Sequence, residues 1–199
     1  MRYSHVILEG KPTTGKTEVS NLLKIFFPSQ IVVLPELTTV LVREHRLNIL
    51  KHRNRLTDLL AEAVPRRSLE VAEILASRGD VTVFEESHMG VHWAYSKVLE
   101  DTYFLDHYDR VISKRLPEPD LFMRLDMPVE LSVKRQVARA TKDVEVSGQL
   151  ISDMFENLNA WHAAQGHKNL LVVDTNRAPN LVIADIMQLL DLEYRGLEP

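Results

Sequence analysis

The chain has 199 residues and a formal net charge of −4, with 24 Lys and Arg against 28 Asp and Glu; with this charge and no long basic tract, a nucleic-acid polymer is not the expected partner. It contains no cysteine, which excludes a disulfide framework, a thiolate zinc site and a cysteine nucleophile. The length suits one domain with its own hydrophobic core, no apolar run approaches the ~18 residues of a membrane span, and the opening apolar run breaks at Glu9, too soon for a signal peptide; residues 1–199 are therefore read as one cytoplasmic domain.

Five short apolar runs follow in chain order: Tyr3–Leu8, Ile31–Leu34, Val81–Phe84, Leu121–Leu125 and Leu170–Val173. They lack period-two alternation, the pattern of strands covered on both faces in a parallel sheet. Apolar residues at helical spacing separate them: Val19, Leu22, Leu23 and Phe26; Ile151, Met154, Phe155 and Leu158; Ile183, Ile186, Met187 and Leu190. Thr38–Arg78 reads as mostly helical and broken at Pro65. Strand and helix in alternation predict an α/β domain with right-handed crossovers.

Between the first strand and the first helix lies Gly10-Lys11-Pro12-Thr13-Thr14-Gly15-Lys16-Thr17, a complete G-x-x-x-x-G-K-[ST] phosphate loop in the required context. Its glycines let the backbone curl so that N–H groups face phosphate oxygens, and the helix behind adds the positive end of its dipole. Lys16 is expected on the β- and γ-phosphates of a nucleoside triphosphate, and the Thr17 hydroxyl on Mg²⁺.

Carboxylates follow two other strands. In open α/β sheets ligands gather at the carboxyl ends of strands. Glu85, in Glu85-Glu86-Ser87, is expected to hold Mg²⁺ directly or through water. Glu36, in Leu34-Pro35-Glu36, is expected on the acceptor side, where a carboxylate can orient a hydroxyl or accept its proton. After the fourth run, Arg135, Arg139 and Lys142 follow Asp126-Met127-Pro128. Arg135 and Arg139, four apart, share a helical face and are expected to stabilise the charge of a transferring phosphoryl group. His88 and Trp93, with Arg67 from the helical region, are candidates for the acceptor pocket; His88 and His92 are four apart, but no glutamate follows His88, so the zinc-protease pattern fails.

These motifs, in this order, resemble the deoxynucleoside kinase and thymidylate kinase branch of P-loop kinases over most of the chain. The resemblance rests on Glu9-Gly10 opening the loop, Pro35-Glu36, Glu85-Glu86-Ser87, Pro119-Asp120-Leu121, the Arg135–Lys142 segment and Asp174-Thr175-Asn176-Arg177. It implies a three-layer fold with a five-stranded parallel sheet of order 2-3-1-4-5, a lid near residues 128–148, and often a homodimer. It further implies that Glu36 is the base and that the loop carrying Asn176 and Arg177 approaches adenine. Two departures stand out. Glu86 occupies a position where the family has arginine, so a phosphorylated acceptor is disfavoured if that carboxylate faces it. Thr141 stands where a second lid arginine is common.

The leading expectation is an ATP- and Mg²⁺-dependent kinase acting on a hydroxyl of a small nucleoside-like acceptor. A nucleoside monophosphate kinase, a phosphotransferase acting on an antibiotic or secondary metabolite, and a non-catalytic nucleotide-binding regulator are the alternatives. No Asn-Lys-x-Asp tetrapeptide for guanine occurs.

Overall fold

The apolar runs form the strands β1 (His5–Gly10), β2 (Ile31–Leu34), β3 (Thr82–Glu86), β4 (Leu121–Asp126) and β5 (Leu170–Asp174). The structure, a computed structural model, describes residues 3–138 and 146–192. All neighbouring strands pair in parallel, in the order β2-β3-β1-β4-β5, as expected. Four strands run past the expected apolar segments, to Gly10, Glu86, Asp126 and Asp174. The ladder hydrogen bonds continue through these last residues, so the polar groups at the carboxyl edge are held by the sheet itself.

Helices α1 (Lys16–Phe26), α2 (Leu37–Glu44), α3 (Arg53–Ser77), α4 (Met89–Val98), α5 (Thr102–His107), α6 (Val129–Ala138), α7 (Gly148–Gln165) and α8 (Pro179–Leu189) surround the sheet. Successive strand residues face opposite sides, and each side has its own core. Val6, Leu8, Phe84, Met123 and Leu125 pack with Val19 and Leu23 of α1 and Val182 and Ile186 of α8. Ile7 and Phe122 pack on the other side with Leu60 and Val64 of α3, Met89 and Ala94 of α4, and Met154, Leu158 and Trp161 of α7. This makes three layers, helix–sheet–helix. Among the described residues no helix is long and apolar enough to cross a membrane.

One expectation is corrected. Helix α3 is not broken at Pro65 but runs through it for 25 residues. An internal proline costs a helix about 3 kcal/mol by removing one N–H and crowding the carbonyl four residues back. Buried Leu59, Leu60, Ala63 and Val64 on one side and Arg67 and Val71 on the other anchor both flanks, and that packing overrides the local preference.

Candidate active site

The phosphate loop leaves β1 at a point where only glycine fits. A Cβ on Gly10 would lie 2.3 Å from the Leu125 carbonyl oxygen, in backbone that cannot yield. Gly15, at φ +91°, turns the chain into α1. Thr13 adopts a left-handed conformation at φ 62°, uncommon for a β-branched residue and a mark of imposed local strain. Its hydroxyl donates to the Ser132 carbonyl at 3.0 Å, and the Ser132 hydroxyl donates to the Pro12 carbonyl at 2.7 Å. Helix α6 is thereby bolted to the loop, and Arg135 donates to the Thr13 carbonyl at 3.4 Å. Arg139, Thr141 and Lys142 lie outside the described residues.

Lys16 reaches back over the loop, its Nζ donating to the carbonyls of Gly10 and Lys11 at 3.0 Å each. Lys11 turns the other way. It is buried, pairs with Asp126 at the end of β4, and lies 4.5 Å from the centre of the Phe155 ring. The loop's second residue thus anchors it to the sheet, while its backbone and that of Pro12, Thr13 and Thr14 line the curl.

The two carboxylates ending β3 stand on opposite faces. Glu86 projects toward α1, where it accepts from the Thr17 hydroxyl at 3.3 Å. Glu85 projects toward α3, where Arg67 donates to it at 3.1 Å and His5 Nε2 lies 3.4 Å away. Arg67 also donates to the Pro35 carbonyl and pairs with Glu70, each at 3.1 Å. Thr17 and Glu85, expected together, are separated, and Thr17 meets Glu86; the reason is the period of two along a strand. Burial would raise the Glu85 carboxyl, but the hydrogen bond from His5 and the charges of Arg67, His88 and His5 outweigh it and hold it below the ordinary carboxylate range.

A narrow cleft with a free volume of about 20 Å³ opens on this second face, lined by Glu36, Arg67, Glu85, Ser87 and His88 among others. Glu36 precedes α2 and accepts from the Thr39 hydroxyl at 2.7 Å. Tyr95 is pushed up to about 12 by burial and by the negative charge of Glu36. Ser87 turns the chain out of β3 at φ 64° while its N–H donates to the Leu8 carbonyl at 2.8 Å. His88 caps α4, and burial lowers its imidazole to about 4. Trp93 packs instead against the core, with Lys97 over its ring at 5.0 Å and Tyr108 beside it.

On the other side of the loop, an open cavity of about 350 Å³ is lined by Thr13, Thr14, Gly15, Arg135, Thr175 and Arg177, with apolar Val19, Leu22, Val182 and Ile183. Arg177 pairs with Asp185 and donates to the Asp174 carbonyl at 2.9 Å. Asn176 donates its backbone N–H to the Asp174 carboxylate at 2.8 Å, a turn that shapes the edge of this cavity.

Oxygen donors at Thr17 and Glu86 fit a hard cation such as Mg²⁺, which keeps several waters and takes only one or two protein ligands beside phosphate oxygens. Among the described residues there is no cluster of three or more His, Cys, Asp or Glu that could hold a metal ion.

A buried network beneath the loop was not anticipated. Glu9, wholly buried, accepts from Arg124 on β4 at 2.7 Å and lies 3.0 Å from His162 Nε2 on α7. Arg124 also donates to Asn159 at 2.6 Å. Burial would raise Glu9, but the hydrogen bond and charge of His162 and the charge of Arg124 keep it below the ordinary range. The signal was present: Glu9 and Arg124 are charged residues inside otherwise apolar strands, and a buried charge needs a partner.

No family model matches the chain, and a sequence search against curated proteins gives no match. Solved structures do match. Deoxyadenosine kinase from M. mycoides, with the products dCMP and a flexible dCDP bound, superposes with a TM-score of 0.67 at 15% identity, covering 94% of this chain and 98% of that one. Thymidylate kinase from Candida albicans superposes with a TM-score of 0.69 at 14% identity, covering 96% of this chain and 92% of that one. Together with the strand order, these neighbours define the fold as that of P-loop kinases, in the form found in deoxynucleoside and thymidylate kinases.

Proposed function

We propose that the protein is a phosphotransferase that moves the γ-phosphoryl group of ATP to a hydroxyl of a small, unphosphorylated, nucleoside-like acceptor. The observation that supports this most is the meeting of two sites at one sheet edge: a complete phosphate loop after β1 and a carboxylate-lined cleft after β2 and β3. The neighbours in fold, a deoxyadenosine kinase and a thymidylate kinase, support phosphoryl transfer to a nucleoside-like acceptor.

In this reading the loop amides and Lys16 hold the triphosphate, Lys16 exchanging its two backbone carbonyls for phosphate oxygens. Thr17 and Glu86 would hold Mg²⁺, which would supply positive charge to offset that of the triphosphate. Glu36 orients the acceptor hydroxyl and takes its proton as the oxygen bonds to the γ-phosphorus. The bond to the β–γ bridging oxygen breaks, and ADP leaves. Arg135, held above the loop by Thr13, stabilises charge on the transferring group, with Arg139 as its expected companion. The cavity bordered by Asn176 and Arg177 takes the donor base.

The cleft lining supports an acceptor without a phosphate. Glu86, the residue that argued against a phosphorylated acceptor, stands beside Thr17 and no longer bears on it. The cleft supports the same preference on other grounds. Arg67 is its one lining cation among the described residues, and it is already committed to Glu85 and Glu70. A phosphate there would face Glu36 and Glu85 without a cation of its own.

The test is ADP release and label transfer from γ-labelled ATP over a panel of nucleosides, their monophosphates and amino-bearing metabolites. Acceptor-dependent turnover is expected with an unphosphorylated member and lost by about 10²-fold or more in Lys16→Ala, as for removal of a charge that stabilises a transition state. A nucleotide-binding protein that releases no ADP with any acceptor would refute the enzyme reading, and preference for monophosphates would refute the assignment of acceptor charge.

A further inference from the structure

Of the residues that line the cleft, one carries a buried side-chain polar atom without a hydrogen-bond partner among the described residues, His88 at Nε2. The residue is 6% exposed and forms part of the cleft wall. Its other nitrogen is committed: Nδ1 accepts from the Gly90 backbone N–H at 3.3 Å, capping α4. A ring whose Nδ1 accepts carries its proton on Nε2, so Nε2 is a donor, fixed in tautomer and aim by the cap. The ring is also held from the sides, by Phe122 edge-on at 5.6 Å between centroids and by Trp161 at 5.4 Å. A rigid, desolvated donor left unpaired is costly to a fold, and such groups are where a ligand's acceptor atom gains most.

The other polar groups of the wall sharpen the choice. Glu36 and Glu85 are acceptors, and the Arg67 guanidinium is bound to Glu85, Glu70 and the Pro35 carbonyl. We propose that His88 Nε2–H is a specificity determinant of the acceptor site, donating to a hydrogen-bond-accepting atom (a ring nitrogen or carbonyl oxygen of the base) of an uncharged nucleoside. This rests on the reading of the cleft as an acceptor site. It adds that the base is selected by an acceptor atom, so an analogue without that atom is bound poorly, because the donor is then left unpaired.

Two variants separate this role from capping. His88→Asn places an amide oxygen near the Nδ1 position and keeps the cap but removes the donor at Nε2. His88→Gln places an amide nitrogen near Nε2 and weakens the cap. Binding of deoxyadenosine, deoxycytidine and thymidine is measured by titration calorimetry, with phosphoryl transfer to each followed in parallel. The wild-type protein is expected to bind at least one of the three, His88→Asn to weaken that binding by about tenfold or more, and His88→Gln to weaken it less despite a lower melting temperature. Binding to wild type and His88→Asn alike, a larger loss in His88→Gln, or no binding of any of the three would overturn the proposal. His88-dependent binding without phosphoryl transfer would support it while counting against the kinase reading, so the two fail separately.

Discussion

The carboxylates that end β3 have the same chemistry and opposite surroundings. Glu85 is buried between Arg67 and His5, and Glu86 shares a hydrogen bond with Thr17 beside the phosphate loop. Neutralising either one therefore has a different consequence. Glu85→Gln leaves Arg67 buried with Glu70 as its charged partner among the described residues, and removing one member of a buried pair commonly costs about 3–5 kcal/mol, so a clear fall in melting temperature is expected. Glu86→Gln leaves stability nearly unchanged but raises the Mg²⁺ concentration for half-maximal turnover by about tenfold or more, the usual scale for groups supporting a metal site. Thermal melts and Mg²⁺ titrations of both variants check this, and a reversed pattern would return the metal role to Glu85. Adjacent glutamates looked interchangeable in sequence because the phase of a strand's alternation is set by which neighbours bury it. Here Phe84 and Val83 fix that phase, packing toward α1 and α3 respectively.

Helix α4 carries His88 at its N-terminus, and its seating against α7 decides where the cleft wall stands. Gly90 makes that seating possible. A Cβ there would lie 2.6 Å from the Trp161 ring, and the ring is pinned because its Nε1–H donates to the Tyr108 hydroxyl at 2.7 Å. Gly→Ala within a helix normally gains roughly 0.5–1 kcal/mol, but overpacking a close-packed contact costs about 1–3 kcal/mol. The clash wins because neither ring nor helix can shift without breaking the Trp161–Tyr108 bond. Gly90→Ala is expected to lower the melting temperature by several degrees, at roughly 2–4 °C per kcal/mol for a protein of this size, and to weaken acceptor binding by displacing His88. Calorimetry and acceptor titration measure both effects, and a variant more stable than wild type would mean the helices separate freely. At the same scale, α3 persists through Pro65 because its burial on both flanks exceeds the local penalty. Composition alone signalled a break there.

For the molecule as a whole, acid stability is set by buried groups of both kinds. Burial lowers His92 from 6.5 to about 4, with Asp101 opposing; its ring lies 4.4 Å from that of Phe104, and its Nδ1 lies 3.4 Å from the Thr38 hydroxyl. The unfolded chain therefore takes up this proton first. Its contribution to stability is whole above pH 6.5 and is lost as pH falls toward 4, a change of up to about 3 kcal/mol. Glu9 and Glu85, held below the ordinary carboxylate value, act lower, and their contribution disappears as pH falls from about 4.5 through their folded-state values. Denaturant unfolding at a series of pH values is expected to show His92→Phe losing less stability than wild type between pH 6.5 and 4.5, and an identical slope would show that His92 is protonated in the fold. The sequence alone determined the phosphate loop, because its chemistry needs contiguous residues at fixed spacing, and the five strands, because burial on both faces demands unbroken apolar runs. The resemblance carried by those motifs supplied the strand order. Only the tertiary structure decided which carboxylate meets Thr17, that Lys11 anchors to Asp126, and that Glu9 is satisfied by Arg124 and His162. Those partners come from strands and helices more than a hundred residues away in the latter two cases, and neither local propensity nor hydrophobic period records which side chains a sheet's register brings face to face.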